Sequence, residues 1–262
     1  MLPLGGETLV VTHDMMAEGT HFLPAQDMAD VAWKLVAVNL SDIAAKGAEP
    51  LGVLLGYSLG GDDDAHFAAS LREVCDEYRV PLLGGDTVRA AGPRTFGLTA
   101  LGRATHTPVP DRRGANTGDA IYVTGTLGAA LLGFEALRDG TDADSAAYRR
   151  PRPLLAEGRA LAPLVSAMMD VSDGLLLDCW RMARASHATF HLDSAAFPVA
   201  DPARINECVR WGDDYQLLFT APCGAALPVA ATRIGTVAEQ DIAALWVDSK
   251  ILTPDDGIGY QH

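Results

Sequence analysis

The run from Met168 to Asp178 sets three carboxylates among large apolar residues. The apolar residues before Asp170 predict a buried strand that ends there, and the leucine run that follows predicts a helix beginning near Ser172 or Asp173. Asp173 could be only the helix N-cap, where an Asp side chain accepts a free backbone N–H. That interpretation leaves Asp170 unexplained. Asp170, at the strand end, would face the same side as Asp173, and two such carboxylates repel each other unless a cation such as Mg²⁺ binds between them. A plain cap and a metal or phosphate site therefore both stay open.

The predicted elements form two groups on either side of a segment rich in Pro, Arg and Gly, Thr105 to Asp119. A length of 262 residues suits two domains of ordinary size, and 48% hydrophobic residues are enough for a full core. Strand and helix patterns alternate irregularly in both groups. We therefore predict an α/β chain of layered α+β type, with domains at 1–112 and 113–262, rather than one doubly wound sheet.

The N-terminal pattern predicts a strand at residues 8–12, a loop at 15–22 and a buried helix from Met28 to Gly47. That helix carries Asp42, and a buried Asp must be paired, hydrogen-bonded or bound to a cation. Asp42 could instead cap a second, shorter helix. Farther along the chain, the polar stretch 139–153 predicts a flexible loop.

The net charge of −14 argues against nucleic acid and anionic membranes as partners. No apolar run is long enough for a membrane span, and the N-terminus lacks the basic-then-apolar pattern of a signal peptide. We therefore expect a cytoplasmic protein. Its four cysteines are scattered and form no Cys-x-x-Cys pair, so we expect buried, reduced thiols rather than disulfides or a metal site.

Familiar nucleotide, hydrolase and zinc motifs are absent from the sequence. It contains no Gly-Lys-Ser/Thr of a Walker loop, no Gly-x-Ser-x-Gly elbow and no His-Glu-x-x-His. Val31 to Lys34 is similar to the protein-kinase lysine motif, but neither His-Arg-Asp nor Asp-Phe-Gly follows it. What remains is a set of aspartates at the ends of predicted elements: Asp14, Asp42, Asp86, Asp170, Asp173, Asp213 and Asp214.

Six stretches of the sequence carry a resemblance to a known family: THDMMAEGTHFLP, AWKLVAVNLSDIAAKGAEP, LLGGDTVR, GDAIYVTGTLGAALLG, MMDVSDGLLLD and WGDDYQLLFTAP. In this order and spacing the chain resembles the thiamine-monophosphate kinases of the aminoimidazole ribonucleotide synthetase-like superfamily. The resemblance implies a two-domain architecture whose N-terminal domains pair in a homodimer. It also implies Mg²⁺-dependent, in-line transfer of the γ-phosphate of ATP onto thiamine monophosphate, giving thiamine diphosphate.

The resemblance further implies roles for individual residues, none of which is a general base. The residues that match metal ligands are Thr12, His13, Asp14, Asp42, Asp86, Asp170 and Asp173. Those that match ATP contacts are Gly85, Asp86, Arg112 and Ser172, and those that match contacts to thiamine monophosphate are His21 and Asp213. Phosphoryl transfer needs positioning and charge neutralisation more than covalent chemistry, which suits a site built of acids and metal ions.

The chain departs from the family pattern at several positions. His13 stands where family members usually have Ser or Thr, and Asp213 where they usually have Glu. Arg210 and Trp211 stand where small residues and Gly are usual, and Gly257 where an aromatic residue is expected to stack. Family members also carry a helix and a strand ending in Gly-Asp-Asp ahead of the stretch that matches the first residues here. Two alternatives therefore stay open: a non-catalytic nucleotide-binding relative, and a sister enzyme acting on another small substrate.

Overall fold

The computed structural model describes residues 1–61, 63–89 and 91–260, and its N-terminal part forms a five-stranded sheet. The strands are β1 (Leu2–Leu4), β2 (Glu7–Ala17), β3 (Ala48–Leu59), β4 (Leu82–Arg89) and β5 (Thr95–Ala104). They lie in the order β1-β2-β5-β3-β4, with β3 and β4 parallel and the other neighbours antiparallel. Helices α1 (Met28–Ala45) and α2 (Asp64–Glu77) cover one face of this sheet.

The C-terminal part forms a seven-stranded sheet in the order β12-β11-β8-β10-β6-β9-β7. Its strands are β6 (Asp119–Thr124), β7 (Ala167–Asp170), β8 (Ala188–Leu192), β9 (Leu217–Pro222), β10 (Ala231–Glu239), β11 (Leu245–Val247) and β12 (Lys250–Ile251). Its helices are α3 (Ala129–Asp139), α4 (Ala146–Arg149), α5 (Leu155–Leu161), α6 (Leu175–Ala185) and α7 (Ile205–Trp211). The layered α/β architecture predicted from the sequence is confirmed, whereas a boundary between residues 112 and 113 stays a prediction.

Helix α1 contacts both the N-terminal part, which we call the N-terminal layer, and the C-terminal part, which we call the C-terminal layer. This helix is apolar on most sides, and other elements pack against those sides. Its residues Val31, Leu35 and Ile43 are therefore fully buried. It contacts β2, β3 and β5 of the first sheet, and also α5 and β7 of the C-terminal part. The helix continues without a break to Ala45, so Asp42 lies in its last turn and does not cap a second helix.

The strand register divides the first sheet into two faces. His13 pairs with Thr99, and Thr99 also pairs with Leu54. Leu54 pairs with Gly84, so Asp86, two residues farther along β4, lies on the same face as these residues. We call this the outer face, since α1 and α2 pack on the opposite, inner face. Asp14 follows His13 in β2 and therefore lies on the inner face.

Two segments predicted as loops carry regular structure. Strand β2 continues through residues 15–17, because it pairs residue by residue with β5 as far as Ala17 and Thr95. The polar stretch 139–153 contains α4, which is held in place because Tyr148 is buried. In the described part of the chain, no helix has both the length and the apolar character needed to cross a membrane.

The helix after Asp170 begins later than predicted. Helix α6 starts at Leu175 with Gly174 at its N-cap, so neither Ser172 nor Asp173 caps it by a side chain. The backbone N–H groups of Ser172 and Asp173 instead donate to the Asp178 carboxylate, at 3.0 and 3.1 Å. The plain-cap interpretation of Asp173 is therefore wrong, and the acid that orders this turn is Asp178.

Candidate functional site

A cavity of about 620 Å³ lies where β2, α1 and the loop after β7 meet α3, α4 and α7. Two groups of lining residues define its character. The acidic group consists of Asp14, Asp42, Asp170 and Asp173, and the ring wall consists of Phe134, Tyr148 and Trp211. His21, Lys34, Asp213, Tyr215 and Tyr260 also line the cavity.

Three elements bring the acidic group together. Asp14 comes from the inner face of β2, Asp42 from the last turn of α1, and Asp170 from the end of β7. Asp170 is buried and accepts a 2.6 Å hydrogen bond from the Ser41 hydroxyl. Asp42 accepts a hydrogen bond from the Thr12 hydroxyl. Ser41 and Asp42, which are successive residues of α1, thus connect this helix to β7 and to β2.

The acids of this group disfavour each other's charge. Burial, together with the nearby Asp42 and Asp173 carboxylates, raises the pKa of Asp14 from 3.8 to about 6. Burial and then the Asp42 carboxylate raise the pKa of Asp170 to about 8, although the hydrogen bond from Ser41 opposes that shift. A cation bound among them would favour the ionised forms of both acids. Binding of a cation would therefore stabilise the acidic group in its ionised form.

The donor chemistry of the acidic group fits Mg²⁺. The available donors are carboxylate oxygens, which are hard ligands that this ion prefers. Within the described ranges, no three Asp, Glu, His or Cys side chains already converge into a complete cation site. That is compatible with Mg²⁺, because the ion usually keeps several waters and takes one or two carboxylates together with substrate phosphates.

The loop between β7 and α6 is held by a buried acid that does not line the cavity. Besides its two backbone bonds, Asp178 pairs with Arg181 at 3.0 Å, and Arg181 also bonds Asp173. Asp178 is fully buried, and this burial raises its pKa to about 7. The backbone N–H of Asp213 donates to the Ser172 carbonyl at 2.8 Å. The positions of Ser172 and Asp173 thus depend on contacts behind the cavity wall.

A buried cation, Lys34, fixes the acid on another wall of the cavity. Lys34 is only 2% exposed, and its Nζ donates to Asp213 at 2.7 Å and to the His21 carbonyl at 3.3 Å. The same Nζ lies 3.8 Å from the centre of the Tyr148 ring, a cation–π contact. The Tyr215 hydroxyl donates to the other Asp213 oxygen at 2.8 Å. These bonds hold the Asp213 carboxylate in place, and its side chain keeps 28% exposure.

His21 is oriented by its own backbone neighbours. The N–H of Ala17 donates to His21 Nδ1 at 3.1 Å, so the neutral ring carries its proton on Nε2. The His21 carbonyl accepts from Lys34 and also, at 3.2 Å, from the Tyr148 hydroxyl. Hydrogen bonds thus fix both the Nδ1 atom of the ring and the backbone carbonyl of His21.

Most of the residues assigned from the sequence line this one cavity. They are His13, Asp14, His21, Asp42, Asp170, Ser172, Asp173 and Asp213. The side chain of Thr12 lies behind this lining and reaches it through Asp42. The imidazole of His13, however, bonds Thr99 at 2.9 Å on the outer face, because consecutive residues of a strand point to opposite faces. The metal-ligand roles of these residues stay predictions.

Three assigned residues lie outside the cavity lining. Asp86 is on the outer face of the edge strand β4, so Asp42, Asp86 and Asp170 do not converge within one chain, contrary to expectation. Gly85 is required by the sheet itself, since a Cβ there would lie 2.0 Å from the Leu55 carbonyl oxygen. Arg112 lies in the connection between the layers, where its carbonyl accepts from the Ser186 hydroxyl at 2.9 Å.

Several residues that build the site were not assigned from the sequence. Lys34 had a visible signal, because it is the lone basic residue of a helix that is apolar on most sides, and a buried cation requires partners. Ser41 stood next to Asp42 in the same helix. Asp178 stood in the acidic run itself, but its bonds with Ser172 and Asp173 were not foreseen. The ring wall had no local signal, because its three rings come from different helices.

Comparisons with known proteins decide the family. Two domain profiles match: the N-terminal domain of AIR synthase related protein over residues 1–104, and the C-terminal domain over residues 116–233. Thiamine-monophosphate kinase of Escherichia coli (strain K12) is 38% identical over 253 residues, which cover 87% of this chain and 76% of that protein. The chain belongs to the thiamine-monophosphate kinase family.

Solved thiamine-monophosphate kinases share the fold closely. The enzyme of Stenotrophomonas maltophilia K279a is 32% identical with a TM-score of 0.85, over 95% of this chain and 88% of that chain. AaThiL, which was solved in complex with AMPPCP and TMP, is 27% identical with a TM-score of 0.91, over 100% of this chain and 89% of that chain. The arrangement of both layers described above is therefore that of the thiamine-monophosphate kinase family.

Proposed function

We propose that this protein transfers the γ-phosphate of ATP directly onto the phosphate of thiamine monophosphate, giving thiamine diphosphate. The observation that carries the proposal is a single cavity that holds the acidic group, the fixed Lys34–Asp213 pair and the ring wall. Acids suit a metal-bound polyphosphate, and a fixed carboxylate beside aromatic rings suits a cationic heterocycle. Similarity to AaThiL, solved with AMPPCP and TMP, supports the same two ligands for this chain.

In this proposal Asp14, Asp42 and Asp170 hold Mg²⁺, with Thr12 and Asp173 as further oxygen ligands. When bound, Mg²⁺ neutralises charge on the triphosphate and on the phosphoryl group as it moves. Ser172 contacts the nucleotide from the cavity lining. Gly85 and Arg112 lie outside that lining, so their contacts with ATP stay predictions of the resemblance.

His21 and Asp213 position the acceptor. The Nε2–H of His21 donates to the substrate, and the Asp213 carboxylate accepts from it. No side chain is needed as a general base, because a phosphate acceptor is already ionised at neutral pH. Catalysis then depends on alignment and on charge neutralisation, which the buried contacts of Ser41, Lys34 and Asp178 preserve.

The outer face of the first sheet supports a homodimer. Val11, Met15, Leu54 and Val88 are between 40% and 58% exposed and lie on this one face. Contiguous exposed apolar surface on a sheet marks a protein–protein interface. We infer that a second copy of the chain covers it. Asp86 belongs to the same face, so it serves the site of the partner subunit rather than that of its own chain.

The direct test of the function is an assay of purified protein with ATP, Mg²⁺ and thiamine monophosphate. Chromatography should show thiamine diphosphate appearing together with ADP in equal amounts. Binding of ATP and Mg²⁺ without any product would favour the non-catalytic relative. ADP formation that requires a different small acceptor would favour the sister enzyme.

A further inference from the structure

The ring wall is a continuous aromatic surface contributed by three helices. Trp211 is 36% exposed and stacks on Phe134, with ring centres 4.9 Å apart and planes at 32°. Phe134 meets Tyr148 edge-on, at 5.3 Å and 67°. Tyr148 is buried under the Lys34 ammonium, so the wall is anchored at one end and open to the cavity at the other. Trp211 is therefore the most exposed ring of this wall.

The backbone after Trp211 holds it at a fixed distance from Asp213. Gly212 has φ of 95°, and a Cβ there would lie 2.3 Å from the Ser172 carbonyl oxygen. The N–H of Asp213 donates to that same carbonyl at 2.8 Å. The indole of Trp211 and the carboxylate of Asp213 thus form one rigid unit that is locked against the loop after β7.

The backbone before Trp211 is tied to the C-terminal segment. Arg210 donates through Nη1 to the carbonyls of Asp256 and Gly257, at 2.9 and 2.8 Å. The N–H of Tyr260 donates to the Asp173 carbonyl at 2.9 Å. These bonds tie the end of α7, which carries Trp211, to the C-terminal segment and to the loop after β7.

The chemistry of this unit selects a flat cation. The indole face is the aromatic surface that attracts a positive charge most strongly, and stacking adds to that attraction. Asp213 carries one bond from Lys34 and one from Tyr215, and carboxylate oxygens accept two bonds each. A ligand that carries both a flat, positively charged ring and an exocyclic N–H therefore matches Trp211 and Asp213 together.

We propose that Trp211 is a specificity-determining residue, which holds the flat cationic ring of the phosphate acceptor while Asp213 accepts a hydrogen bond from the exocyclic amine on the acceptor's other ring. The inference rests on the proposed function and deepens it, since it assigns recognition of the acceptor ring to residues separate from the metal and ATP contacts. Loss of the indole weakens binding of the acceptor and leaves the chemical step and ATP binding in place.

Steady-state kinetics test this assignment. Trp211→Ala should raise KM for thiamine monophosphate about tenfold, equal to about 1.4 kcal/mol, with kcat and KM for ATP within about twofold of wild type. Trp211→Phe retains an aromatic face and should recover most of the affinity. The melting temperatures of both variants show whether they are folded. A KM for thiamine monophosphate within about twofold of wild type in folded Trp211→Ala would overturn the proposal.

Fluorescence titration without ATP tests binding separately from turnover. Thiamine monophosphate should quench the tryptophan emission of wild type and of Trp246→Phe, whose ring lies on β11 outside the cavity lining, but not that of Trp211→Phe. Inorganic phosphate should quench none of them. If wild type makes no thiamine diphosphate, the proposed function is wrong. The fluorescence quench then still shows whether Trp211 contacts thiamine monophosphate. Absence of a quench in wild type, or an equal quench in Trp211→Phe, counts against it.

Discussion

At the scale of single residues, the proposed reaction depends most on Asp170. The change Asp170→Asn keeps the size of the side chain and an acceptor for Ser41, but removes one negative charge from the acidic group. In the proposed mechanism the Asp170 charge stabilises the transition state of phosphoryl transfer more than the bound substrates. Its loss should therefore lower kcat about a hundredfold, which corresponds to about 2.7 kcal/mol of transition-state stabilisation. The measurement is the steady-state formation of thiamine diphosphate.

A matched control for Asp170 is Asp139→Asn, which alters a surface acid paired with Arg138. It should leave kcat unchanged, because exposed ion pairs contribute little. If Asp170→Asn lowers the melting temperature but retains kcat per folded molecule, Asp170 is a structural acid and the metal role is wrong.

Asp178 makes stability depend on pH. Its burial raises the folded-state pKa to about 7, so the folded protein binds a proton more readily than the unfolded chain does. This contribution to the free energy of unfolding is full below the unfolded pKa and is lost as pH rises through about 7. The free energy of unfolding of Asp178→Asn relative to wild type should therefore change in favour of the variant between about pH 4 and pH 7. Urea unfolding at several pH values measures it, and a constant difference would contradict the assignment.

At the scale of secondary structure, α3 receives its N-terminal cap from another element. Asp214, just before β9, accepts from the Gly128 N–H through both oxygens at 2.9 Å. Gly128 has no side chain to cap the helix, so Asp214→Ala should lower the free energy of unfolding by about 1–2 kcal/mol. Because α3 carries Phe134 of the ring wall, KM for thiamine monophosphate should rise as well.

The control for this prediction is Asp139→Ala, at the other end of α3. It should change the free energy of unfolding by less than about 0.5 kcal/mol, as expected for a surface site. An equal effect of the two substitutions would show that the contact with Asp214 does not stabilise α3.

At the scale of the whole molecule, the outer face predicts a dimer of about twice 27.6 kDa, measurable by light scattering. Val88→Asp places a charge in that face and should shift the mass toward the monomer. Ile242→Asp is the control, since Ile242 is 83% exposed and outside the first sheet. A wild-type chain that stays monomeric at all concentrations would rule out the interface.

Mixing two inactive chains tests whether Asp86 acts across that interface. When Asp86→Asn and Asp170→Asn subunits exchange, a mixed dimer has one intact site if Asp86 serves the partner. Activity should then reappear on mixing. If Asp86 served its own chain, each site of the mixed dimer would carry one defect, and the mixture would stay inactive.

The sequence by itself determined the elements that depend on local patterns. Hydrophobic periodicity placed the buried helix that carries Asp42, and the strand that ends at Asp170, because each pattern lies within one short segment. The order and spacing of six motifs identified the family, and with it most of the residues that line the cavity. The layered α/β class followed from the irregular alternation of strands and helices.

Only the tertiary structure decided which of these residues meet. Lys34 and Asp213 are 179 positions apart, and their bond exists because α1 packs against the C-terminal layer. Strand register put Asp86 on the face opposite to Asp14, although both were assigned to one metal site. A side chain's partners are set by long-range packing and by the face of its strand, and neither is encoded within a single short segment.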